Sequence, residues 1–593
     1  MKKKNSPTHR ATSSNHVTRV VTYSFLRKLG TRLRTFSEQS ILILTTLTLV
    51  SAVYLPVIGV RTLRFAGDEK SYLAQVVEMK DRSNWFKQTF AGVPCYYKGP
   101  FHYIAVRGSA LIFGNTFWSA LFPNFIFLLL SSVAVTMSFL RFHPQRKDWA
   151  LLSGIAFATC AGLYTHGLAS QMEIELAGVF AIGMFALAWN RTLFFWIAAG
   201  AAGWMKSPLH SVLLGSAGLF YWFSEGTLFT RLKTPRQWFF LLTGVALCSA
   251  GYAPAFLLDH DNFINTYIHR ETFDKPSNSG PWWSPILPIL THSVFPWTVL
   301  IWTGLLGVLV KIVRRSPLPK GALLGICLAA PSVLFFLIHP FRVHTYNLPI
   351  ICGLLLIACS MGANIPASRS GFFRISLASI PAFLSLALVA AVILVKKIQI
   401  PFFSSPILVL CAVLSLVEAI VAVKIFTNRI RLFKSPATLV ALATVPPLII
   451  IGLLLRSLGE WELTGFNTAL AHLSSQNGKQ KILYLDPVKS AWNEWGLMVF
   501  ATGREIRPVY SIEGAVQALK MGDSVISQKH SEIEEIQKLL KLQASTENLQ
   551  IENWPRWRRP AESQDGIPAW KRALIESDWK KLVTDFSVMK LRK

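Results

Sequence analysis

Ser40–Val60 reads SILILTTLTLVSAVYLPVIGV, an apolar stretch that contains no charged side chain. About 20 apolar residues in a helix match the hydrocarbon thickness of a bilayer, so this stretch has the length of one membrane crossing. The first 36 residues contain nine Lys or Arg and no acidic residue, and basic flanks usually face the cytoplasm. No A-x-A cleavage pattern follows the stretch, so we predict an uncleaved anchor with a cytoplasmic N-terminus.

The composition of the whole chain indicates a polytopic membrane protein. Hydrophobic residues make up 52% of the 593 residues and charged residues 15%, whereas soluble domains carry about 25% charged residues. A disordered or collagen-like chain is excluded, because apolar residues are abundant and Gly and Pro follow no period. Later apolar runs lie near residues 117–140, 149–167, 171–189, 193–223, 238–258, 286–310, 321–339, 345–363, 375–395, 402–423 and 437–456.

Short basic loops between these runs predict how the chain crosses the membrane. They lie at Arg141–Lys147, Arg231–Arg236, Lys311–Lys320, Arg369–Arg374 and Lys424–Lys434. If these loops are cytoplasmic, an even number of crossings must separate the first two of them. The long run 193–223 must then leave and return, and we predict its break at Lys206-Ser207-Pro208. The expected fold is a polytopic α-helical membrane domain of about thirteen transmembrane helices.

The C-terminal part of the chain has a different composition. Residues 457–593 hold 19 basic and 17 acidic side chains, as an ordinary soluble domain does. Lys481–Leu485 and Ser524–Ser527 are short apolar stretches that predict strands. Ile512–Leu519 and Ser531–Leu540 have the period of amphipathic helices. The expected parts are a basic cytoplasmic tail (1–37), a transmembrane domain (38–456) with a first outer loop at about 61–116, and a periplasmic soluble α/β domain (457–593).

The distribution of charge and of cysteine argues against a nucleic-acid binder and against a disulfide or zinc framework. The net charge is +29, and residues 1–456 carry 41 basic against 14 acidic side chains. The basic residues lie in short loops between apolar runs, which favours a role in membrane orientation over a nucleic-acid partner. Six of the seven cysteines lie inside apolar runs and only Cys95 lies in a polar loop, so the spacing fits neither a disulfide framework nor a zinc site.

The acidic residues direct attention to the outer face, where ten of these 14 are predicted to lie. Ionisable groups at membrane depth usually face a cavity and tend to be functional. The first outer loop reads FAGDEKSYLAQVVEMKDRSNWFKQTFAGVPCYYKGPFHYIAV from Phe65, and Asp68 and Glu69 follow the first crossing closely. The alternative interpretation is a solvated loop helix with a charged cap.

The loop resembles the first periplasmic loop of the glycosyltransferase C superfamily, in the branch of protein O-mannosyltransferases and lipid A aminoarabinose transferases. That pattern runs D-E-x-x-Y-A-x-x-A-x-x-M, then G-D-W, then G-x-P-Y-F-E-K-P-P-L-x-Y-W. The residues that match it are Asp68, Glu69, Tyr72, Met79, Trp85, Gly92, Pro94, Lys98, Pro100 and Tyr103. The loop departs from it at Asn84, Tyr97 and Gly99, where the family has Asp, usually Glu, and Pro.

Further stretches resemble the family in the same order along the chain. They are Gly203–Pro208 (L-T-K-G-P in the family), Tyr267–Phe273 (E-x-H-L-x-R-F), Gly280–Trp283 (G-P-F-W-Y-Y), Phe295–Trp297 (L-P-W) and Phe341–Pro349 (S-K-L-P-H-Y-L-L-P). The last of these aligns Arg342 with the family's Lys and Tyr346 with its Tyr. The family segment A-T-x-D-M is altered here, since no acid precedes Met172, so Glu173 or Glu175 is expected to replace that acid.

The resemblance implies a sugar transferred with inversion from a polyprenyl-phosphate donor. Lys98, Lys206 and Arg342 are expected to bind the phosphate as its charge grows, although Lys206 and Arg342 also fit snorkelling at helix ends. Asp68 is expected nearest the reacting centre. If the acceptor is a hydroxyl, Asp68 or Glu69 acts as the base; if it is a lipid A phosphate, they orient the acceptor or bind an amino group on the sugar.

Aromatic side chains and cofactors complete the expected site. Tyr346 with Trp282 or Trp283 is placed along the sugar and lipid groove, and the alternative for the tryptophans is the interfacial aromatic belt. No cofactor is predicted, and His269 and His344 leave a divalent metal as an alternative. The expected substrate-binding residues are Tyr72, Lys98, Glu173, Glu175, Lys206, Arg342, Tyr346, Trp282 and Trp283.

The sequence therefore predicts a glycosyltransferase of a bacterial inner membrane. Its expected partners are the bilayer, a polyprenyl-phosphate sugar and an acceptor that is lipid A, another envelope glycan or a protein. Two other classes stay open. One is a lipid or sugar transporter or flippase, which intramembrane charges also mark, although no repeat is visible in the sequence. The other is a non-catalytic scaffold that presents the outer domain.

Overall fold

The structure is a computed structural model of the chain. It describes residues 37–59, 68–79, 85–273, 281–339, 343–364, 371–398, 405–428, 435–473, 481–487, 495–527, 530–542, 549–557, 563–564, 567–568, 576 and 583–591. The basic tail and Arg342 lie outside the described residues.

Helices make up most of the described chain. The first part contains α1 (Ser37–Ile58), α2 (Glu69–Glu78), α3 (Phe101–Phe113), α4 (Phe117–Phe142), α5 (Lys147–Thr159), α6 (Ala161–Gly167), α7 (Met172–Ala188), α8 (Thr192–Met205), α9 (Pro208–Ser224), α10 (Leu228–Leu232), α11 (Pro235–Leu258) and α12 (His260–Phe263). It continues with a π-helix (Ile264–Phe273), a π-helical turn (Ile289–Ser293), α13 (Thr298–Val313), α14 (Lys320–Ile338), a 3₁₀ helix (His344–Ile350), α15 (Ile351–Ala363), α16 (Gly371–Ile398), α17 (Ser405–Phe426) and α18 (Pro436–Leu473).

Many of these helices have the length and composition of membrane spans. Among the described residues, eight segments are long and apolar enough to cross a bilayer: Ser37–Ile58, Phe117–Phe142, Pro235–Leu258, Lys320–Ile338, His344–Ala363, Gly371–Ile393, Pro406–Phe426 and Pro436–Ala469. Shorter apolar helices are α3, α8 and α13. Apolar side chains on their outer surfaces, such as Val413 and Leu416 of α17, are exposed, as expected of a surface that faces lipid.

The break predicted inside the long run 193–223 is confirmed. Helix α8 ends at Met205 and α9 begins at Pro208. Proline is favourable in the first turn of a helix, where its missing N–H leaves no hydrogen bond unmade. The chain therefore reverses at Lys206 and Ser207, and Lys206 comes to lie at a turn between two helices.

The last apolar helix is longer than the sequence suggested. Helix α18 runs over 38 residues to Leu473, so the domain boundary expected at residue 457 falls inside it. Arg456 and Glu460 form an i,i+4 ion pair at 2.8 Å on its surface, which suits a helix that continues into water. Beyond that pair, Phe466 and Ala469 pack with Tyr484 and Ile526 of the C-terminal sheet.

Close approach of backbones holds the helices together. A Cβ atom on Gly200 of α8 would overlap the backbone of Gly244 in α11, so neither helix can carry a larger residue there. Small residues at such crossings are typical of helix packing in membranes. Buried polar side chains add interhelical bonds: Tyr54 donates to the Ala158 carbonyl at 2.6 Å, and Trp297 Nε1 donates to Thr159 at 3.0 Å.

The C-terminal region forms a mixed sheet. Its elements are β3 (Ile482–Leu485), α19 (Trp495–Thr502), β4 (Ile506–Val509), α20 (Ile512–Met521), β5 (Ser524–Ser527), α21 (His530–Leu542), β6 (Leu549–Trp557) and β9 (Val583–Leu591). The strand order is β4-β3-β5-β9-β6, with the first three parallel and β9 antiparallel to both neighbours. The two strands and two helices predicted between residues 481 and 540 are all present.

Contacts between this region and the first outer loop position helix α2. In that loop, β1 (Thr89–Phe90) and β2 (Val93–Pro94) pair antiparallel. In the C-terminal region, a second small antiparallel pair joins β7 (Ser563–Gln564) and β8 (Ile567–Pro568). Gly496 of α19 lies directly against the backbone of Ala74 in α2, where a Cβ atom would overlap it. The C-terminal region therefore packs directly against α2, the helix that begins with Glu69.

Candidate active site

The acidic pair at the start of α2 faces in two directions. Glu69 is fully buried, and its Oε1 accepts a hydrogen bond from the backbone N–H of Ser170 at 2.5 Å. Asp68 is half-buried, and its Oδ2 accepts a hydrogen bond from the Tyr72 hydroxyl at 3.3 Å. One carboxylate is thus held inside the bundle, whereas the other remains accessible at its mouth.

Glu69 is the first member of a buried chain of polar groups. The Ser170 hydroxyl lies 3.1 Å from Nε2 of His102, and Nδ1 of His102 lies 3.0 Å from Oε1 of Glu175. All four residues are fully buried. Buried polar groups cost free energy unless they are paired, so the chain holds each of its members in place.

Helix α4 holds the segment that carries Ser170. Nδ2 of Asn124 donates to the carbonyl of Ala169 at 2.6 Å and to that of Gln171 at 3.1 Å. The side chain of Gln171 in turn bonds Nδ1 of His166. These contacts fix the irregular backbone just before α7, which is why Ser170 offers its N–H to Glu69.

A buried ion pair lies beside this chain. Nζ of Lys206, at the turn between α8 and α9, donates to Oε1 of Glu173 at 2.7 Å, and both side chains are almost fully buried. Nζ also lies 3.8 Å from the ring centroid of Tyr346, a cation–π distance. Snorkelling of Lys206 at a helix end is therefore wrong, because its ammonium points into the protein rather than toward water.

Lys98 reaches the same turn through its neighbour Gly99. The N–H of Gly99 donates to the carbonyl of Lys206 at 3.0 Å. A Cβ atom on Gly99 would overlap the carbonyl oxygen of Trp204, so a side chain does not fit. The departure from the family's Pro at this position follows, since Pro has no N–H to donate to Lys206.

The charges of these residues act on one another. The charges of Asp68 and Glu173 act on Tyr72, and the charges of Lys206 and Lys98 act on His210. Burial, together with the nearby Asp68 charge, raises the pKa of Tyr72 well above its usual value. Tyr72 therefore remains a neutral phenol that donates to Asp68 throughout the physiological range.

The remaining predicted residues are less closely tied to this cluster. Trp282 and Trp283 are 66% and 44% exposed, so they lie at the surface and the aromatic-belt interpretation stays open. The loop that follows the two tryptophans contacts the residue next to Tyr346: Nδ2 of Asn347 donates a hydrogen bond to the carbonyl of Pro285 at 3.1 Å. Arg342 lies outside the described residues.

The two histidines that left a metal site open lie in different surroundings. His269 is exposed, and His344 contacts His292 with ring centroids 5.7 Å apart. Within the described ranges, no group of three or more His, Cys, Asp or Glu side chains is arranged to hold a metal ion.

Sequence reasoning missed four members of the cluster: His102, Ser170, His166 and His210. His102 stands two residues after Pro100, inside the quoted loop motif, but the motif gives no reason for a buried imidazole there. His210 follows the Lys206 turn closely, and its Nδ1 lies 2.9 Å from the Ser207 hydroxyl. Its place two residues after a Lys-Ser-Pro turn is the one signal that the sequence offers.

The chain is similar in sequence to two curated sugar transferases. No protein-family model matches the chain. It is 24% identical over 327 residues to an undecaprenyl phosphate-α-4-amino-4-deoxy-L-arabinose arabinosyl transferase of Erwinia tasmaniensis, a match that covers 51% of this chain and 56% of that protein. It is 23% identical over 349 residues to a second such transferase, from Proteus mirabilis. That match covers 56% of this chain and 61% of the Proteus protein. The matched stretches thus span little more than half the length of these curated relatives.

The fold is similar over a longer part of the chain. Crystal structures of ArnT from Cupriavidus metallidurans match with a TM-score of 0.62 in the apo state, at 16% identity and over 84% of this chain and 94% of that one. The structure of ArnT bound to undecaprenyl phosphate matches with the same TM-score at 15% identity. That match covers 93% of this chain and 97% of the ArnT chain. The resemblance predicted from the first outer loop is confirmed: the chain is similar in sequence to two arabinosyl transferases and has the fold of ArnT.

Proposed function

We propose that this protein is an integral membrane glycosyltransferase that moves a sugar from a polyprenyl-phosphate donor to an envelope acceptor at the outer membrane face. The observation that carries the proposal is the buried ammonium of Lys206, paired with Glu173 and lying on the ring of Tyr346 beside the Asp68–Glu69 pair. Such a fixed cation suits an anionic leaving group whose charge grows during the reaction. The relatives' names and the ArnT complex with undecaprenyl phosphate support a donor of that class.

The phosphate is assigned to the cationic side of the cluster. Lys206 has three N–H donors, of which one meets Glu173, and its charge is held in a water-poor site where electrostatic interactions are strong. Lys98 adjoins the same turn through Gly99. We propose that Lys98 and Lys206 bind the phosphate, with Arg342 as the third cation expected from the family pattern.

The two carboxylates are assigned different roles on the basis of their environments. Glu69 is buried, and its carboxylate accepts a hydrogen bond from the backbone N–H of Ser170, so it positions the start of α2. Asp68 is half-buried and is proposed to meet the acceptor. With a hydroxyl acceptor, the acceptor oxygen bonds the anomeric carbon, its proton passes to Asp68, and the bond to the phosphate oxygen breaks with its electron pair on the phosphate. With a phosphate acceptor no base is needed, and Asp68 orients the acceptor.

The acids near Lys206 also suit an amino sugar. Glu173, Glu175 and Asp68 outnumber the cations of the described cluster, and a carboxylate that is not fully neutralised attracts an ammonium group. The relatives act on a 4-amino-4-deoxy sugar. We propose an amino sugar as the donor's cargo and lipid A, another envelope glycan or a protein as the acceptor.

The topology is proposed as thirteen crossings with a cytoplasmic N-terminus and a periplasmic C-terminal α/β domain. One crossing is assigned to each of thirteen helices, namely α1, α4, α5, α7, α8, α9, α11 and α13–α18. The basic loops after α4, α9 and α13 are then cytoplasmic, as the positive-inside rule requires, and residues of all three line one cavity. Cysteine accessibility labelling of residues in these loops tests this orientation.

The transferase proposal is tested by mass spectrometry of envelope lipids and glycans in cells that carry the native chain or Asp68→Asn. We expect one glycan to disappear in the mutant while its polyprenyl-phosphate sugar accumulates. The matched control is Asp261→Asn, which removes an exposed carboxylate at the same end of the bundle and leaves the cluster intact. An unchanged profile at equal protein levels would exclude the role of Asp68 and favour a transporter or a scaffold.

A further inference from the structure

A large cavity lies at the end of the bundle opposite the candidate active site. It has a volume of about 560 Å³ and lies among the ends of α4, α7, α9, α14 and α15. Along α7, Ala188 at the cavity is 15 residues from Glu173 at the active site, a separation of about 22 Å at 1.5 Å per residue. The cavity is therefore distinct from any site that the Lys206 cluster forms.

Basic side chains from three separate loops line this cavity. Arg141 lies in the last turn of α4 and His143 directly follows it, Arg231 lies in α10, and Lys320 begins α14. Among the described residues, Glu225 is the one acidic side chain of the lining. The lining thus carries a positive charge, even with His143 neutral.

One of these cations is fully used by the fold. The guanidinium and Nε of Arg231 donate to Asn190 at 2.7 Å and to Thr192 and Thr227 at 3.3 Å. It also lies over the ring of Trp222, 5.0 Å from the centroid. Arg231 is therefore held in the wall of the cavity by its own contacts. It adds positive charge to the lining, and we do not assign it a direct contact with a ligand.

The other cations are available to a ligand. Arg141 lies over Trp189 at 5.4 Å, and no hydrogen bond within the described part of the chain engages its guanidinium. Lys320 is 75% exposed and lies 3.7 Å from Glu225, too far for a strong hydrogen bond. Nε2 of His143 is buried and has no hydrogen-bond partner among the described residues. Two available cations and one unsatisfied imidazole nitrogen thus meet at the cavity.

We propose that this cavity binds the phosphate of an anionic phospholipid headgroup from the adjacent leaflet. Arg141 and Lys320 would donate charge-assisted hydrogen bonds to the phosphate oxygens, and His143 Nε2, protonated in that tautomer, would donate a third. Phe142, Leu187 and Trp222 also line the cavity, so an apolar part of its wall lies beside the cations, as the acyl chains that follow a lipid headgroup require. Basic pockets between transmembrane helices are suited to anionic headgroups.

This lipid site is independent of the transferase chemistry, because it lies at the other end of the helices. It also gives the basic loops a role beyond setting orientation. A bound headgroup would bridge the chain after α4 to the start of α14, so it should stabilise the folded bundle by mass action.

The test measures phosphatidylglycerol retained by the detergent-purified full chain in native mass spectrometry, with phosphatidylethanolamine as the zwitterionic comparison. The variant Arg141→Gln/Lys320→Gln removes the two available cations. The matched control Arg236→Gln/Lys311→Gln removes the same charge from the same end of the bundle, at residues that do not line the cavity. We expect the affinity for phosphatidylglycerol to fall about tenfold or more in the first variant and less than about twofold in the control.

Several outcomes would overturn the proposal. Equal losses in both variants would show general attraction to surface charge, and unchanged retention in both would show that the cavity is not the site. Displacement of the lipid by millimolar inorganic phosphate would identify the free anion as the ligand. If the glutamine variant fails to fold, the native chain still decides the matter, because equal retention of phosphatidylglycerol and phosphatidylethanolamine contradicts an anionic-headgroup site.

Discussion

Lys206 and Glu173 form an ion pair of 2.7 Å in which the side chains are only 3% and 7% exposed. The two residues are 33 positions apart, on the α8–α9 turn and the first turn of α7. Taking two charges out of water is costly, and breaking a buried pair leaves one of them uncompensated. This pair therefore serves as the most direct probe of what the site contributes to stability and to activity.

Replacing Lys206 by Met should lower the stability of the solubilised protein by about 3–5 kcal/mol, because Glu173 is left charged and unpaired. The double variant Lys206→Met/Glu173→Gln should regain much of this loss and remain inactive, since no cation is left for the phosphate. Denaturant unfolding and a transfer assay check the two effects separately. Full activity in the double variant would remove Lys206 from the proposed phosphate site.

Replacing His102 by Ala should destabilise the protein by about 1–3 kcal/mol for each buried group left without its partner. The groups affected are the Ser170 hydroxyl and the Glu175 carboxylate. His102→Gln keeps one donor and one acceptor at similar reach and should lose less stability. Thermal unfolding of both variants tests this order, and equal losses would argue that the chain Glu69–Ser170–His102–Glu175 contributes little.

Gly99→Ala should disrupt the Lys98 loop, since the new Cβ overlaps the Trp204 carbonyl. We expect a loss of about 1–3 kcal/mol and a transfer rate reduced at least tenfold, because Lys98 would move away from the Lys206 turn. Gly108→Ala in α3 is the control, because among the described residues no atom outside the local backbone of its own helix lies within 4 Å of the new methyl group, and Ala favours a helix. Normal activity in Gly99→Ala would show that the loop can move without consequence.

Tyr72→Phe removes the hydroxyl that donates to Asp68 at 3.3 Å. Burial raises the pKa of Tyr72, so the folded protein keeps the phenol proton at a pH where the unfolded chain has lost it. Unfolding then becomes more favourable as the pH rises above about 10, by up to about 1.4 kcal/mol per pH unit from this residue. Between pH 6 and pH 9, roughly, that contribution to stability is constant, since Tyr72 is neutral in both states.

The measurement is denaturant unfolding of the native chain and Tyr72→Phe at neutral and alkaline pH. The variant should lose less stability than the native chain above about pH 10, and its transfer rate should fall several-fold at neutral pH, because Asp68 is no longer held. Identical alkaline slopes in the two proteins would contradict the raised pKa of Tyr72.

Local signals in the sequence determined much of this protein. Apolar runs predicted a mostly helical bundle, in which eight described segments are long and apolar enough to cross a bilayer. A Lys-Ser-Pro turn predicted the break before Pro208, and the periods of the C-terminal sequence predicted strands and helices between residues 481 and 540. These features depend on neighbours a few positions apart, through propensity and helix or strand period, so a single sequence displays them. The motif D-E-x-x-Y likewise led to Asp68, Glu69 and Tyr72.

Only the tertiary structure decided what those residues do to one another. His102 and Ser170 are 68 positions apart, and their hydrogen bond exists because α3 and the segment before α7 pack side by side. Lys206 has the position of a snorkelling residue, yet it turns inward because Glu173 and the ring of Tyr346 compensate its charge. Residues of three basic loops line one cavity because the ends of α4, α9 and α14 lie together in the bundle. Long-range packing chooses the partners of buried charges, and no local period in a sequence encodes it.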